Sequence, residues 1–291
     1  MVDQAHALRT LMKQRRLASD SNSVSSQSPS ARVLGMTAAK GGVGKTTLAL
    51  QTALTLQKAG QSVCVWDVDG NAAHDLVMGF HHPWNISHVL TGSRTASEVL
   101  YSTGDGLHYL QGNGVSNLTT ALWRESSALS RALQFWEEQF DVIILDLPGA
   151  ISGEVQSLMA ACHSSWLVCT PEPTAVAASY GFMKSCSDLL DQTSIVVNQA
   201  ETSDIAFDVI DRLQQTTKLF LQTEIRAAGF VPSDPAMTQF ANHEEEGAGR
   251  KAIAHLSTRW LTGNDSSNFK HSFFQRFHHS NQSRLSSARA A

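Results

Sequence analysis

Continuous apolar runs alternate with helix-like patterns along most of the chain. The runs VLGMT, SVCVWDVD, FDVIILDLP, SSWLVCTP and SIVVNQ recur between residues 33 and 199. Between the first two runs, residues 44–58 carry apolar positions at helical spacing. Strands that are apolar throughout are typical of parallel sheets covered by helices on both faces. The pattern therefore predicts an α/β fold, a mostly parallel twisted sheet with helices on both faces.

The order of these elements also predicts where a ligand binds. Right-handed crossovers between parallel strands place the ligand crevice at the carboxyl ends of the strands. Polar residues lie at or just beyond such ends, namely Asp67, Asp69, Asp146, Glu172 and Asn198. We expect these side chains at one edge of the sheet.

The two ends of the chain differ in pattern from its centre. Residues 3–16, DQAHALRTLMKQRR, place apolar side chains on one helical face behind an aspartate N-cap. The serine-rich stretch that follows is typical of a flexible linker. Near the other end, NFKHSFFQRFHH spaces phenylalanines along one face of a cationic helix. The predicted parts are an N-terminal helix (1–16), a linker (17–31), an α/β domain (32–262) and a tail (263–291) with an amphipathic helix at 268–279.

Composition excludes several classes of protein. An apolar fraction of 42% over 291 residues is typical of a folded soluble protein, and a net charge of −4 gives no general attraction to nucleic acid. The four cysteines form no CxxC pair, and the twelve histidines lack zinc-site spacing. No apolar run approaches the roughly 18 residues of a membrane span. We expect a cytosolic protein with reduced core thiols, neither secreted nor integral to a membrane.

The segment AAKGGVGKTT has the form of a phosphate-binding loop. Gly41, Gly42 and Gly44 form a turn whose backbone N–H groups surround a phosphate. Lys45 balances the phosphate charge, and the Thr46 hydroxyl is suited to Mg²⁺. A chance GKT in a glycine-rich turn is the alternative, but the strand before the loop and the helix after it favour the Walker A interpretation.

Lys40 is a second lysine, and its position within the loop prevents it from folding back easily onto its own phosphates. Leaving its charge unpaired beside Lys45 would be costly once the site closes. We infer that an anionic partner comes from elsewhere, and a nucleotide bound to a second molecule meets that requirement.

The string KGGVGKTT resembles the deviant Walker A motif of the MinD and ParA ATPase superfamily, which are P-loop NTPases. The resemblance implies that Lys40 reaches across an ATP-sandwich homodimer to the partner's phosphates, with Lys40 and Glu172 at the dimer interface and Lys40 contributing to catalysis. The implied nucleotide-binding residues of this loop are Lys40, Gly41, Gly42, Val43, Gly44, Lys45, Thr46 and Thr47.

The same resemblance assigns roles to the carboxylates. Asp67 and Asp69 match the D-x-D of switch I, which implies that Asp67 lies near the Mg²⁺ shell and that Asp69 orients the hydrolytic water. Asp146 ends a strand that resembles Walker B, so Thr46, Asp67 and Asp146 are the implied metal residues. For the D-x-D pair, two solvated acids at a strand end remain the alternative.

The sequence indicates adenine rather than guanine. The NKxD element of many GTPases is absent, and Asn198 matches the superfamily position that contacts adenine. Pro232 and Asp234 lie in GFVPSD, which resembles the loop beside the base. The implied ligands are ATP and Mg²⁺, while a simple turn residue is the alternative for Asn198.

Within the superfamily, residues 85–100 and 170–184 resemble the FlhG family most. The N-terminal segment resembles the DQAxxLRxL helix with which FlhG proteins stimulate the signal-recognition-particle-type GTPase FlhF, and Gln4 holds the activating position. A frayed amphipathic terminus is the alternative. The resemblance implies an ATPase that controls flagellar number and placement. Its implied partners are an FlhF-like GTPase, a flagellar transcription activator and basal-body components.

The tail resembles the membrane-binding helix of MinD and FlhG proteins. Its implied membrane residues are Phe269, Phe273, Phe274 and Phe277. ATP would then convert a cytoplasmic monomer into a dimer bound at the inner face of the plasma membrane. The alternative is that the phenylalanines pack back onto the core.

Other functions stay open at this point. A ParA-like DNA-partitioning ATPase or a MinD-like division-site ATPase shares the loop. Partitioning predicts nonspecific DNA binding, and basic residues that are scattered rather than striped argue against it, so no specific nucleic-acid partner is expected. The strings DVDGNAAHDL and LPGAIS depart from FlhG switch motifs, which leaves room for a nucleotide-binding pseudo-ATPase scaffold. An iron–sulfur reductase would need two suitably placed cysteines per subunit, and Cys162 and Cys169 are poorly placed for that.

Overall fold

The computed structural model describes residues 30–68, 79, 81–104, 106–112, 127–149, 151–240, 247–263, 272–277 and 279–280. All of them except Ser30 belong to one compact unit, Ala31–Ala291. The predicted residues Gln4, Asp69 and Phe269 lie outside the described residues.

The strands in the described part of the chain join into one sheet. They are β1 (Arg32–Ala38), β2 (Val63–Asp67), β3 (Leu100–Ser102), β4 (Leu107–Gln111), β5 (Val142–Asp146), β6 (Ser164–Cys169), β7 (Thr193–Ala200) and β8 (Arg226–Pro232). Their order across the sheet is β3-β4-β2-β5-β1-β6-β7-β8. All neighbours are parallel except β3 and β4, which are antiparallel.

Helices connect these strands. They are α1 (Lys45–Lys58), α2 (Ile86–Leu90), α3 (Ser127–Gln139), α4 (Gly153–Ala161), α5 (Pro173–Ser185), α6 (Ser203–Leu221) and α7 (Ala248–Thr262). Two 3₁₀ turns lie at Ser187–Gln192 and Pro235–Thr238. On the sheet, α1 packs against α7, and α5 packs against α6. None of the described helices has the length and apolar character needed to cross a bilayer.

The central strands are apolar because both of their faces are covered. Every residue of β2, β5 and β6 is buried, so successive side chains, which point to opposite faces, all leave water. The predicted α/β fold with a mostly parallel sheet is thereby confirmed. The antiparallel edge was not predicted, because β3 has only three residues and none of them is buried.

The phenylalanine-rich tail packs on the core of this unit. Residues 273–277 and 279–280 are helical, and the rings of Phe273 and Phe277 stack with their centroids 5.8 Å apart. Both side chains are almost completely buried, at 2% and 0% exposed, while Phe274 is half-buried. The structure therefore places these two predicted membrane residues inside the protein, because the apolar face of the tail helix meets the core.

Glu137 of α3 holds the start of the tail helix. Its carboxylate accepts the backbone N–H of Phe273 at 2.7 Å and that of Phe274 at 3.1 Å. These N–H groups lie in the first turn, where a helix has no internal acceptors for them and where negative charge is favourable. A buried glutamate thus acts as the N-terminal cap of a helix far away in sequence.

Arg276 anchors the other side of the tail helix. Its Nε donates to the carbonyl oxygen of Ala161 at 2.7 Å, and its guanidinium lies 3.2 Å from Nδ1 of His163. The backbone N–H of Val33 donates to the same Nδ1 at 2.9 Å. Burial, with the charges of Arg276 and Arg32 adding to it, lowers the pKa of His163 to about 3. The ring is therefore neutral at pH 7, and its Nδ1 accepts the hydrogen bond from Val33.

Candidate functional site

The phosphate loop leaves β1 and enters α1 through backbone that requires glycine. Gly42 has φ 81° and Gly44 has φ 82°, a region that residues with a Cβ rarely adopt. Gly44 is the N-cap of α1, so the unsatisfied N–H groups and the positive dipole end of the helix lie beside the loop. This arrangement is suited to binding an anion.

Lys45, Thr46 and Asp146 form a largely buried polar group next to this loop. Nζ of Lys45 donates to Oδ1 of Asp146, and the Thr46 hydroxyl donates to Oδ2 at 2.7 Å. Asp146 is only 3% exposed. The carboxylate therefore neutralises the lysine in a site from which most water is excluded, and a phosphate would compete with it for the same charge.

Asp67 lies beside Asp146 because the strands that carry them are paired. Asp67 of β2 is the register partner of Asp146 of β5, and both side chains are buried. Two carboxylates and the Thr46 hydroxyl are hard oxygen ligands of the kind that Mg²⁺ prefers. These residues therefore fit the predicted metal site. The role of Asp69 in orienting water stays a prediction, since that residue lies outside the described part of the chain.

Lys40 bonds to a different set of residues, all in its own chain. Its Nζ donates to Oε2 of Glu172 and, at 2.9 Å, to the hydroxyl of Thr174. The lysine side chain is 39% exposed and that of Glu172 is 63% exposed. This pair within one chain was not predicted from the sequence, because Glu172 at the start of α5 is 132 positions away.

The predicted base-contacting residues lie at the same edge of the sheet. Asn198 near the end of β7 is the register partner of Val231, and Ala200 is that of Pro232. Asn198 is 5% exposed, and its Nδ2 donates at 2.8 Å to the carbonyl oxygen of Val43 in the phosphate loop. The structure therefore brings the loop, Asp67, Asp146 and the carboxyl end of β7 together, as the sheet order predicts.

Asp234 has a structural contact that sequence reasoning did not foresee. Its Oδ1 accepts the N–H of Ala236 at 2.9 Å, and its Oδ2 accepts the N–H of Gly249 at 2.8 Å. It therefore caps both a 3₁₀ turn and the first turn of α7. A role for Asp234 and Pro232 in binding the base stays a prediction.

Gln51 is a further residue that sequence reasoning missed. Its Nε2 donates at 2.8 Å to the carbonyl oxygen of Met237, which joins α1 to the turn at Pro235–Thr238. The only signal in the sequence is a glutamine inside the apolar stretch LALQTALTL.

Two further predicted residues of the loop differ in exposure. Val43 is buried, and Thr47 lies half-buried in the first turn of α1.

The four cysteines are buried as free thiols. Burial raises the pKa of the Cys162 thiol to about 12. Within the ranges that the structure describes, no cluster of three His, Cys, Asp or Glu side chains is arranged to hold a metal ion.

Comparison with known proteins adds independent information. The AAA domain family matches residues 31–195. The antiactivator FleN of Pseudomonas aeruginosa is 25% identical over 210 residues, which cover 71% of this chain and 75% of FleN. The flagellum site-determining protein YlxH of Helicobacter pylori is 28% identical over 173 residues, 57% of this chain and 58% of YlxH.

Solved structures agree on the fold. The septum site-determining protein MinD from Pyrococcus horikoshii, complexed with Mg-ADP, superimposes with a TM-score of 0.61 at 18% identity. The match covers 83% of this chain and all of that one. The chain belongs to the AAA domain family as an ATPase of the MinD/ParA type, and it is similar to FleN and YlxH.

Proposed function

We propose that the chain is an ATP-dependent, dimerising ATPase that regulates the number and placement of flagella. The position of Lys40, apart from the group around Asp146, is the observation that carries this proposal. Lys45 and Thr46 already share Asp146, whereas Lys40 lies outside that group in a partly exposed pair and is available for another anion. Similarity to FleN and YlxH supports the flagellar role.

ATP binding would use the groups at the carboxyl edge of the sheet. The phosphate loop and the N-terminus of α1 receive the phosphates, and Lys45 exchanges Asp146 for phosphate oxygens. Thr46, Asp67 and Asp146 would hold Mg²⁺, which supplies positive charge against the phosphates. Asp69 is proposed to orient the attacking water.

Dimer formation requires Lys40 to leave Glu172 and Thr174. Exposed ion pairs of this kind contribute only about 0.2–1 kcal/mol, so this step costs little. In the partner's site, Lys40 would face phosphate charge in a dry interface, where a charge-assisted hydrogen bond is stronger. The difference between the two environments favours the dimer when ATP is bound.

We extend the proposal to the membrane. The buried positions of Phe273 and Phe277 mean that the tail helix must leave the core before it binds lipid. One such helix binds a bilayer only weakly, but the two tails of a dimer share a high effective concentration. The protein would thus be a cytoplasmic monomer with a docked tail and a membrane-bound dimer with released tails.

Replacing Glu137 with glutamine is expected to increase membrane binding. A neutral amide cannot accept both N–H groups of the tail helix as the carboxylate does, and the lost charge-assisted hydrogen bond weakens docking by roughly tenfold. Co-sedimentation of the full chain with anionic liposomes, in ATP and in ADP, measures the effect.

Glu138→Gln is the matched control, because Glu138 carries the same charge on the same helix and is exposed. Its liposome binding should equal that of the wild type. Equal binding by Glu137→Gln and Glu138→Gln would contradict tail release, and equal wild-type binding in ATP and ADP would contradict the nucleotide switch.

The flagellar role is tested by GTPase stimulation. The full chain should accelerate GTP hydrolysis by an FlhF-like GTPase, and Gln4→Ala should remove most of that effect. Gln14→Ala is the control, since it makes the same change ten residues further along the N-terminal segment.

If the wild type does not stimulate the GTPase, the result favours DNA partitioning or division-site placement. Nucleotide binding without any phosphate release, with lipid and partner present, would favour a pseudo-ATPase scaffold.

A further inference from the structure

Asn198 contacts the phosphate loop itself. Its side-chain N–H donates at 2.8 Å to the carbonyl oxygen of Val43, and the side chain is buried. The fit is close, because a Cβ built on Gly44 would lie 2.5 Å from Nδ2 of Asn198. The end of β7 is thus in direct contact with the segment of the loop that precedes α1.

The local backbone of β7 directs Asn198 to this position. The register with β8 shifts between Asn198 and Ala200, and Gln199 between them has φ 59°. A glutamine rarely adopts this left-handed conformation, so the surrounding structure must impose it. An irregular strand end with an unfavourable backbone angle is therefore maintained where a side chain meets the phosphate loop.

The hydrogen bond has a consequence for the next peptide N–H. The peptide bond between Val43 and Gly44 is trans and planar, so its C=O and N–H point in opposite directions. Fixing the carbonyl of Val43 toward β7 therefore turns the N–H of Gly44 away from β7. In a loop that binds phosphate through backbone N–H groups, the direction of each such donor determines the affinity.

We propose that Asn198 is a positioning residue of the phosphate loop, which orients the Val43–Gly44 peptide for phosphate. This inference rests on the proposed nucleotide-binding function. It differs from the role that the sequence predicts for Asn198, which is contact with the base. If Asn198 positions the loop, replacing it should weaken the binding of a phosphate ligand even when that ligand has no base.

The experiment distinguishes a loss of affinity for phosphate from a loss of affinity for the base. Isothermal titration calorimetry of the full chain measures binding of ATP, of inorganic tripolyphosphate and of adenosine, with Mg²⁺ present. Asn198→Ala leaves the buried carbonyl of Val43 without this donor, and we expect tripolyphosphate affinity to fall about tenfold. Asn198→Asp keeps the shape but places a carboxylate against the carbonyl, so its loss should be at least as large. Adenosine binding should change less than tripolyphosphate binding in both variants.

Gln214→Ala is the matched control. Gln214 also donates an amide N–H to a backbone carbonyl, that of Ile225, at 2.8 Å, but it lies on α6 and does not contact the loop. Its tripolyphosphate affinity should equal that of the wild type. Unchanged tripolyphosphate binding in both Asn198 variants, or an equal loss for all three ligands, would overturn the inference. A wild type that binds neither ATP nor tripolyphosphate would instead refute the proposed function.

Discussion

Replacing Lys40 with alanine is expected to abolish the ATP-dependent dimer while nucleotide binding to the monomer persists. The reason is the separation of the two lysines. Lys45 donates a hydrogen bond to Asp146 in the largely buried group. Lys40 donates hydrogen bonds to Glu172 and Thr174 in a partly exposed position. Removing Lys40 therefore leaves the phosphate loop of the same chain intact and deletes only the cation available to a second chain.

Two measurements check this result. Analytical ultracentrifugation with a non-hydrolysable ATP analogue gives the dimer fraction, and a fluorescent nucleotide gives the affinity of the monomer. Lys184→Ala is the control, because it removes an exposed lysine from α5 without touching the loop. A Lys40→Ala protein that still dimerises, or that has lost monomeric binding, would contradict the assignment.

Glu172→Gln tests the resting position of Lys40. If Glu172 mainly holds Lys40 in the monomer, weakening that pair should strengthen the dimer by up to about fivefold, the equivalent of an exposed ion pair. A weaker dimer would mean that Glu172 contributes more to the interface than to the monomer. An unchanged dimer would contradict the idea that the pair with Glu172 holds Lys40 in the monomer.

The fold and the phosphate site follow from features that are local in sequence. Strands β1, β5 and β6 are recognisable because burial on both faces leaves a continuous apolar run in each of them. The loop is recognisable because Gly42 and Gly44 need positive φ at fixed distances from Lys45.

The contacts that sequence reasoning missed join residues far apart in the chain. Glu137 and Glu138 are adjacent and chemically identical, yet only Glu137 is buried against the tail. Helical spacing places Glu137 beside the apolar face of α3 and Glu138 on the opposite face, but it does not show that the tail caps onto Glu137, because that depends on where a helix 136 positions away is placed. The apolar face of the tail helix was predictable, because amphipathicity identifies a surface that is to be covered. What covers that face was not predictable, because tertiary packing decides it.

Replacing Lys45 with methionine is expected to have two large and separable effects. The affinity for ATP should fall by roughly 100-fold or more, because the cation that faces the phosphates is lost from a nearly dry site. The protein without nucleotide should also lose about 3–5 kcal/mol of unfolding free energy, as happens when one partner of a buried ion pair is removed. The second effect arises because removing Lys45 takes away the cation that compensates the buried Asp146 carboxylate.

A double variant separates the two effects. Adding Asp146→Asn to Lys45→Met removes the buried charge, and the Thr46 hydroxyl at 2.7 Å retains an acceptor in the side-chain amide. Urea unfolding should then show most of the lost stability restored, while calorimetry should show ATP affinity still absent. A double variant that stays as unstable as Lys45→Met would contradict the ion pair as the source of the instability. Retained ATP binding in Lys45→Met would contradict the role of Lys45. If both results hold, Asp146 takes, in the protein without nucleotide, the electrostatic position that phosphate takes when ATP binds. Ligand affinity and the stability of the protein without ligand then depend on the same lysine.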